Sequence, residues 1–396
     1  LYCFLSNASG FVEKKLVSVF LCFVTQHCPK RHNFASQGFT KKMSLSLQKM
    51  RMKIDLRKIG LADLIGECKA MGQPPFRAKQ LWEWLWKHAA TDFDAMSNLP
   101  LAFRAELKAR FELLPIIEDK AQRSTDGTIK SRFRLHDGHF IESVLIPVPN
   151  DGRYTVCVSC QVGCSLTCKF CATGRMGRIR NLDAAEIFDQ VALVNRQCFE
   201  AYGHPLTNIV YMGMGEPLLA YANVMESIER ITAPDGLNMS PKRITVSTAG
   251  IAKMIHKLAD DGARFNLALS LHAANDAKRD AIMPINETNG LGVLMDALQY
   301  FYQKTKGRIS YEYIALRDFN DGLDDAAELA GLCHRFPVRV NIIEYNPIDG
   351  GDFAKADERK MDRFAQLLRD RGVMVTQRRS RGKDIDAACG QLANKG

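Results

Sequence analysis

From residue 153 onward, short apolar runs alternate with amphipathic stretches. The runs at 154–158, 207–212, 243–247, 265–270, 309–316 and 338–343 are rich in β-branched and aromatic residues and predict strands. Between them, apolar positions recur at helical spacing over 183–198, 221–232, 250–261, 276–282, 291–304 and 323–335. A last helical stretch, 356–371, leads to an extended run at 373–377. Six strand–helix units in a row predict an α/β fold with parallel strands and right-handed crossovers, either doubly wound or an open barrel.

Upstream the period changes twice. Residues 128–135 and 139–146 alternate apolar and polar around Asp137-Gly138, whose turn needs φ > 0, and so predict a hairpin. Residues 54–114 carry helical spacing: one helix ends at Gly72, a second begins after Pro74-Pro75, and a third follows Leu99-Pro100. Leu81, Trp82, Leu85 and Trp86 make a broad apolar face, read as core of this small module rather than as a platform for bases. The implied organisation is an N-terminal extension (1–43), a helical accessory domain (44–115), a hairpin extension (116–149) and an α/β body (150–396).

Composition changes little in this picture. A chain of 396 residues with 46% hydrophobic and 25% charged residues is that of a folded globular protein. The formal charge of +10 sits mostly in residues 1–53, where nine Lys/Arg face Glu13 alone, so the rest of the chain is nearly balanced at +2. Basicity as a whole therefore says little about nucleic acid. Two local patches say more: Arg175, Arg178 and Arg180, and Arg378, Arg379, Arg381 and Lys383. Residues 16–24 are apolar after Lys14-Lys15, but the run is too short to span a bilayer and no small-x-small cleavage site follows. Residues 1–42 read as a disordered extension or an over-long gene model, since Met43 offers a more ordinary start, and a cytoplasmic protein is expected.

The chemistry concentrates in Cys157-Val-Ser-Cys160-Gln-Val-Gly-Cys164-Ser-Leu-Thr-Cys168-Lys-Phe-Cys171, which holds five of the twelve cysteines. The last three, spaced C-x3-C-x2-C, suit three irons of a cubane cluster whose fourth iron stays open for a ligand. The alternative is structural zinc on the pairs Cys157/Cys160 and Cys168/Cys171, which would leave Cys164 idle. Gly213-Met-Gly215-Glu216-Pro217 directly follows a strand; its glycines permit close backbone approach, and the Glu216 carboxylate could hold an ammonium group. Ser247, and Ser270-Leu271-His272, follow later strands and add polar groups where α/β folds hold ligands. Near the C-terminus a lone Cys389 stands among small residues in Ala387-Ala-Cys-Gly-Gln-Leu392, which suggests tight access for something large.

Taken with Asn346-Pro347, and with Phe170 ahead of the last clustered cysteine, these motifs resemble the RlmN/Cfr family of radical S-adenosylmethionine (SAM) RNA adenine methyltransferases, over roughly residues 54–394. The resemblance implies an open partial (β/α)6 barrel, a [4Fe-4S] cluster held by Cys164, Cys168 and Cys171, and SAM contacts from Gly215, Glu216, Ser247, Ser270, Leu271, His272 and Asn346. It also implies a scheme. Cys389 takes a methyl from one SAM, a second SAM supplies a radical that activates the S-methyl group, and the methylene adds to the adenine. Glu142 removes the ring proton, and Cys157 attacks the Cys389 sulfur, releasing the product and leaving a disulfide. The expected substrates are 23S rRNA, at the peptidyl-transferase centre, and some tRNAs next to the anticodon, methylated at adenine C2. Methylation at C8 of the ribosomal adenine is the alternative, and a zinc-bearing RNA-binding protein a more distant one. An external electron donor of flavodoxin-like type and a monomeric state are expected. Cys160, where the family carries serine, is expected to be inert.

Overall fold

The computed structural model describes residues 53–395. The expectation for the N-terminal extension lies outside these residues. From Ile54 onward the chain forms one compact unit built on a ten-stranded sheet.

Six of its strands are those read from the apolar runs: β6 (Arg153–Cys157), β9 (Asn208–Tyr211), β10 (Ile244–Thr248), β11 (Asn266–Ser270), β12 (Ile309–Ala315) and β13 (Val338–Glu344). They lie side by side in that order, all parallel. A doubly wound sheet reverses its strand order at a switch point; this one never does. It is therefore singly wound, an open barrel, as the motif resemblance implies. The extended run near the C-terminus adds a seventh parallel strand, β14 (Met374–Arg378), beside β13.

The crossover helices are α5 (Ala184–Tyr202), α6 (Tyr221–Thr232), α7 (Ala252–Asp260), α8 (Asp276–Ile282) with α9 (Leu291–Thr305), α10 (Leu323–Leu332) and α11 (Glu358–Asp370). Local chemistry sets their ends. Asp183 and Glu186 form a reciprocal capping box at the start of α5, and Gly203 closes it at φ 65°.

The hairpin is larger than its alternation suggests. β4 (Ile129–Arg134) and β5 (Phe140–Val148) pair as read, and a third strand, β3 (Ile117–Arg123), pairs on β4. β3 is exposed along most of its length and carries Glu, Asp, Lys and Arg, so it has no apolar period to detect. β5 in turn pairs antiparallel with β6. The hairpin is thus the continuation of the barrel sheet.

In the helical module, β1 (Ile54–Asp55) pairs in parallel with β2 (Phe111–Glu112), and α1 (Leu61–Ala70), α2 (Phe76–Trp86) and α3 (Leu101–Arg110) bury Leu81, Trp82, Leu85 and Trp86. Trp86 meets Phe188 of α5 edge-on at 5.2 Å between ring centroids. The apolar face is core, and it is continuous with the barrel's. One tie had no sequence signal: the buried Arg57 guanidinium grips Asp189 of α5 through two hydrogen bonds of 2.7 and 2.8 Å.

Candidate active site

The cysteine segment lies at the C-terminal end of β6, and its loop is closed by a small ladder between β7 (Gln161–Gly163) and β8 (Arg178–Asn181) that the apolar pattern did not show. Gly163 makes this closure possible. It sits at φ +73°, and a Cβ there would lie 1.8 Å from the Gly177 carbonyl oxygen. Between the two strands Cys164, Cys168 and Cys171 share one loop, with a short helix α4 (Ala172–Arg175) after the last.

The three thiols act on one another. Burial first, then the other two thiols, drives the Cys168 thiol far above its ordinary value. Burial raises the Cys164 thiol to about 11, with Cys171 adding to it, although the Leu166 N–H donates to its sulfur. Cys168 and Cys171 pack against Phe170, Ile282 and Met283, an apolar lining that excludes water. Three thiols on one apolar-backed loop fit a cubane cluster, whose ligation lifts the burial penalty on Cys164 and Cys168 by replacing the proton with iron.

The zinc arrangement does not fit. The Cys160 thiol points at the Met214 carbonyl, 3.6 Å away, and its own N–H donates to the same oxygen. Cys160→Ser should accordingly leave iron content and turnover unchanged; an iron-to-protein ratio that fell in this variant would show that Cys160 is a ligand.

The C-terminal segment completes the site. Ala172 N–H donates to the Gly390 carbonyl at 2.8 Å, and Thr173 Oγ1 to the Leu392 carbonyl at 2.6 Å. Gly390, at φ +84°, lies so close that a Cβ would be 3.2 Å from the Phe170 carbonyl. The small residues around Cys389 thus let the segment dock on the cysteine loop. Asn346 Nδ2 holds the segment to the end of β13 through the Cys389 carbonyl (3.4 Å) and Ser380 Oγ (2.9 Å). Gln391 reaches the Pro347 carbonyl at 3.1 Å.

Cys389 is solvent-exposed as a residue, while its sulfur is crowded by protein atoms. Those surroundings, then the Cys171 thiol and the Glu312 carboxylate, push its thiol up to about 12, against a lowering by Arg378. Cys157, buried at the end of β6, is likewise pushed up to about 12 by burial and then by Cys389. The two cysteines far apart in sequence are therefore electrostatic neighbours. Both rest as neutral thiols, and attack by either requires a base to take its proton, helped by any cation that lowers its pKa.

Glu142, on β5, is buried and ties the tail down: Oε2 accepts the N–H groups of Ala393 (2.9 Å) and Asn394 (3.0 Å), while Lys130 stands 3.4 Å from Oε1. The Glu216 carboxylate is also turned to backbone, accepting from Leu218 N–H at 3.0 Å and Ala249 N–H at 2.8 Å, and burial raises its pKa. The Thr248 side chain is a third hydrogen-bond partner, so any grip on an ammonium would be shared with these bonds. Gly213 and Gly215 do permit close approach, the first to the Val158 carbonyl and the second to the Gln161 side chain. Ser247 Oγ donates to the Tyr211 carbonyl at 2.7 Å; Ser270 ends β11 and Leu271 follows it.

His272, at φ 58°, is buried, accepts the Ile314 N–H on Nδ1 at 3.1 Å, and meets Phe170 edge-on at 4.7 Å. Burial, then the nearby Arg279 cation, lowers its pKa from 6.5 to about 3. Between those values the unfolded chain binds the extra proton, so the contribution of His272 is complete above pH 6.5 and is lost as pH falls toward 3. The wild type should lose up to about 1.4 kcal/mol per pH unit more than His272→Asn across this window, read as denaturation midpoints against pH. Asparagine is the apt replacement because it tolerates positive φ.

Sequence reasoning missed several site residues. Gln161 accepts the Glu216 N–H at 2.9 Å. Glu312, buried on β12, pairs with Asn341 (2.7 Å) and keeps Oε2 without a hydrogen-bond partner, 3.8 Å from Arg378. A lone carboxylate within an otherwise uncharged strand was a usable signal for it. The basic patches are also less free than they read. Arg180 is engaged by Asp137 and Glu186, Lys383 by Glu344, and Arg378 by Glu312. Arg178, Arg379 and Arg381 form no ion pair among the described residues.

Known proteins place this arrangement. Residues 158–330 match the radical SAM superfamily, and a crystal structure of a radical SAM methyltransferase from Sphaerobacter thermophilus superposes with a TM-score of 0.82 at 42% identity, covering 86% of this chain and all of that one. The chain is a radical SAM enzyme, a class that works with a [4Fe-4S] cluster and SAM. Residues 54–113 match the ribosomal RNA large subunit methyltransferase N-terminal domain. A "Probable dual-specificity RNA methyltransferase RlmN" of Cytophaga hutchinsonii is 52% identical over 86% of this chain and 93% of its own length. The "Dual-specificity RNA methyltransferase RlmN 2" of Myxococcus xanthus is 43% identical over 82% and 86%. The chain belongs to the RlmN family of RNA methyltransferases. No helix among the described residues is long and apolar enough to cross a membrane.

Proposed function

We propose that this enzyme methylates C2 of one adenine at the peptidyl-transferase centre of 23S rRNA, and of the adenine 3′ to the anticodon in some tRNAs, through an S-methyl group on Cys389. The observation that carries the proposal is the meeting of Cys157 and Cys389 beside the cluster loop, with Ala172 and Thr173 binding the Cys389 segment directly. Adenine C2 is an electron-poor carbon and cannot attack a methyl sulfonium as an amine would, so a thiol that first carries the methyl group answers a chemical need.

Cys389 sulfur, once deprotonated, displaces the methyl group from SAM and becomes a thioether. The cluster held by Cys164, Cys168 and Cys171 would supply the single electron that cleaves a second SAM, and with it the means of removing a hydrogen atom from that thioether. After the methylene carbon has bonded to the base, Glu142 takes the ring proton and an external one-electron carrier takes up the unpaired electron, which leaves a closed-shell thioether. Cys157, as thiolate, then attacks the Cys389 sulfur; the carbon–sulfur bond breaks, its electron pair goes to the methylene carbon, which takes up a proton to become the methyl group, and an external thiol reductant restores both cysteines. An external one-electron donor of flavodoxin-like type completes the cycle. The base must be extruded from its stack to reach Cys389. Arg178, Arg379 and Arg381 are the cations best placed to hold phosphate, so RNA affinity should fall with salt and with their removal.

Nucleosides from rRNA and tRNA, taken from a host lacking its own enzyme and supplied with this one, test the reading by mass spectrometry. 2-Methyladenosine in both RNA classes is expected. 8-Methyladenosine as the main product would overturn the regiochemistry, and a product in one class alone would overturn the dual range.

A further inference from the structure

Arg279 of α8 is fully buried and meets no carboxylate directly. Its Nε donates to the Leu271 carbonyl at 3.1 Å. One terminal nitrogen donates to the carbonyls of Ala249 (2.5 Å) and Ser270 (3.4 Å), and the other to Asn286 Oδ1 (2.5 Å). Every partner is neutral. The nearest carboxylates, Asp276 and Asp280, stand one step further out and are bridged by Asn286 Nδ2 at 2.8 and 2.7 Å. A buried cation with only neutral partners is expensive unless an anion lies close by.

The cysteine loop supplies one. Lys169 N–H donates to the Ile282 carbonyl at 3.0 Å, which pins the loop to the last turn of the helix that carries Arg279. Cys168 packs in the same apolar cluster as Ile282 and Met283, and the Cys168 sulfur and the guanidinium act on each other electrostatically. With three thiolates bound, the oxidised [4Fe-4S] site carries net negative charge, and each added electron makes it more negative. A fixed cation in a low-dielectric setting favours that more negative state.

We infer that Arg279 is the buried counter-cation of the cluster site, a positioning residue that holds the ends of β10 and β11 against the cysteine loop and raises the cluster's reduction potential. The electron itself comes from an external low-potential donor and ends on the cluster; Arg279 exchanges neither electron nor proton. The inference rests on Cys168 being a cluster ligand.

Midpoint potentials of the reconstituted enzyme, titrated with dithionite and read by electron paramagnetic resonance, test it. In Arg279→Gln, which loses the charge, the equilibrium should move at least about ten-fold toward the oxidised cluster, equivalent to about 59 mV for a one-electron couple. Arg279→Lys, which keeps the charge but not the fork of hydrogen bonds, should stay near the wild-type potential. Asp280→Asn leaves the hydrogen bonds of Arg279 in place and removes a carboxylate that screens it, so its potential should rise; this variant carries the test if Arg279→Gln fails to load. Potentials that ignore both the Gln and the Asn changes in loaded protein would overturn the inference while leaving the cluster assignment intact. A wild-type protein that takes up no iron and sulfide would overturn both.

Discussion

Cys157→Ala is expected to stop the enzyme as a covalent protein–RNA adduct joined through Cys389. Among the described residues no other thiol stands ready to take over. Cys160 faces the Met214 carbonyl from a closed pocket, and Cys171, although it acts on Cys389 electrostatically, is a proposed ligand of the cluster. Among the described residues Cys157 is the one buried thiol outside the cluster loop whose proton affinity is raised by Cys389 itself. Without it the carbon–sulfur bond has no attacker, and turnover ends after one stoichiometric event. The adduct should survive denaturation, migrate with RNA on a gel and vanish when Cys389 is also replaced. Free turnover by Cys157→Ala would remove it from the scheme.

Glu142 should show a second large effect, and one variant can separate its anchoring from its proposed role as base. As an anchor, it holds the tail that bears Cys389 by accepting from Ala393 and Asn394. As the proposed base, it would take the ring proton. Glu142→Gln keeps an acceptor oxygen for both N–H groups but not the basicity, and Lys130 retains the Asp386 carbonyl at 3.4 Å as a partner. Methyl transfer from labelled SAM to Cys389 should therefore persist while methylated RNA falls about 100-fold or more. Glu142→Ala loses both functions. Leaving two backbone donors without their acceptor costs about 1–3 kcal/mol each, so amide exchange across 386–395 should speed up and Cys389 methylation should fall as well. Near-normal turnover in Glu142→Gln would mean that the carboxylate is an anchor alone.

How much of this was legible in the chain follows from the range of the forces involved. Strand and helix periods depend on neighbours a few residues away, which is why the runs around β6, β9, β10, β11, β12 and β13 and the helices between them could be read directly. β3 could not, because its partner β4 buries so little of it that its charged residues need no alternation. The small β7–β8 ladder escaped for a similar reason: its strands are too short to show a period, and only the positive φ of Gly163 hints at the closure.

The same distinction divides the site. The spacing of Cys164, Cys168 and Cys171 is a local fact, sufficient by itself to suggest a cluster, since one loop must present all three sulfurs. The motifs around Cys157 and Cys389 likewise indicate what kind of reaction to expect. Sequence alone could not show that Cys160 turns away to a carbonyl, that Arg180 is engaged by two carboxylates, or that the Cys389 segment is fastened to Glu142, Asn346, Ala172 and Thr173. Each of those depends on burial and on partners distant in sequence. Charge and hydrogen bonding become selective only where water has been excluded, and the folded barrel decides where that is.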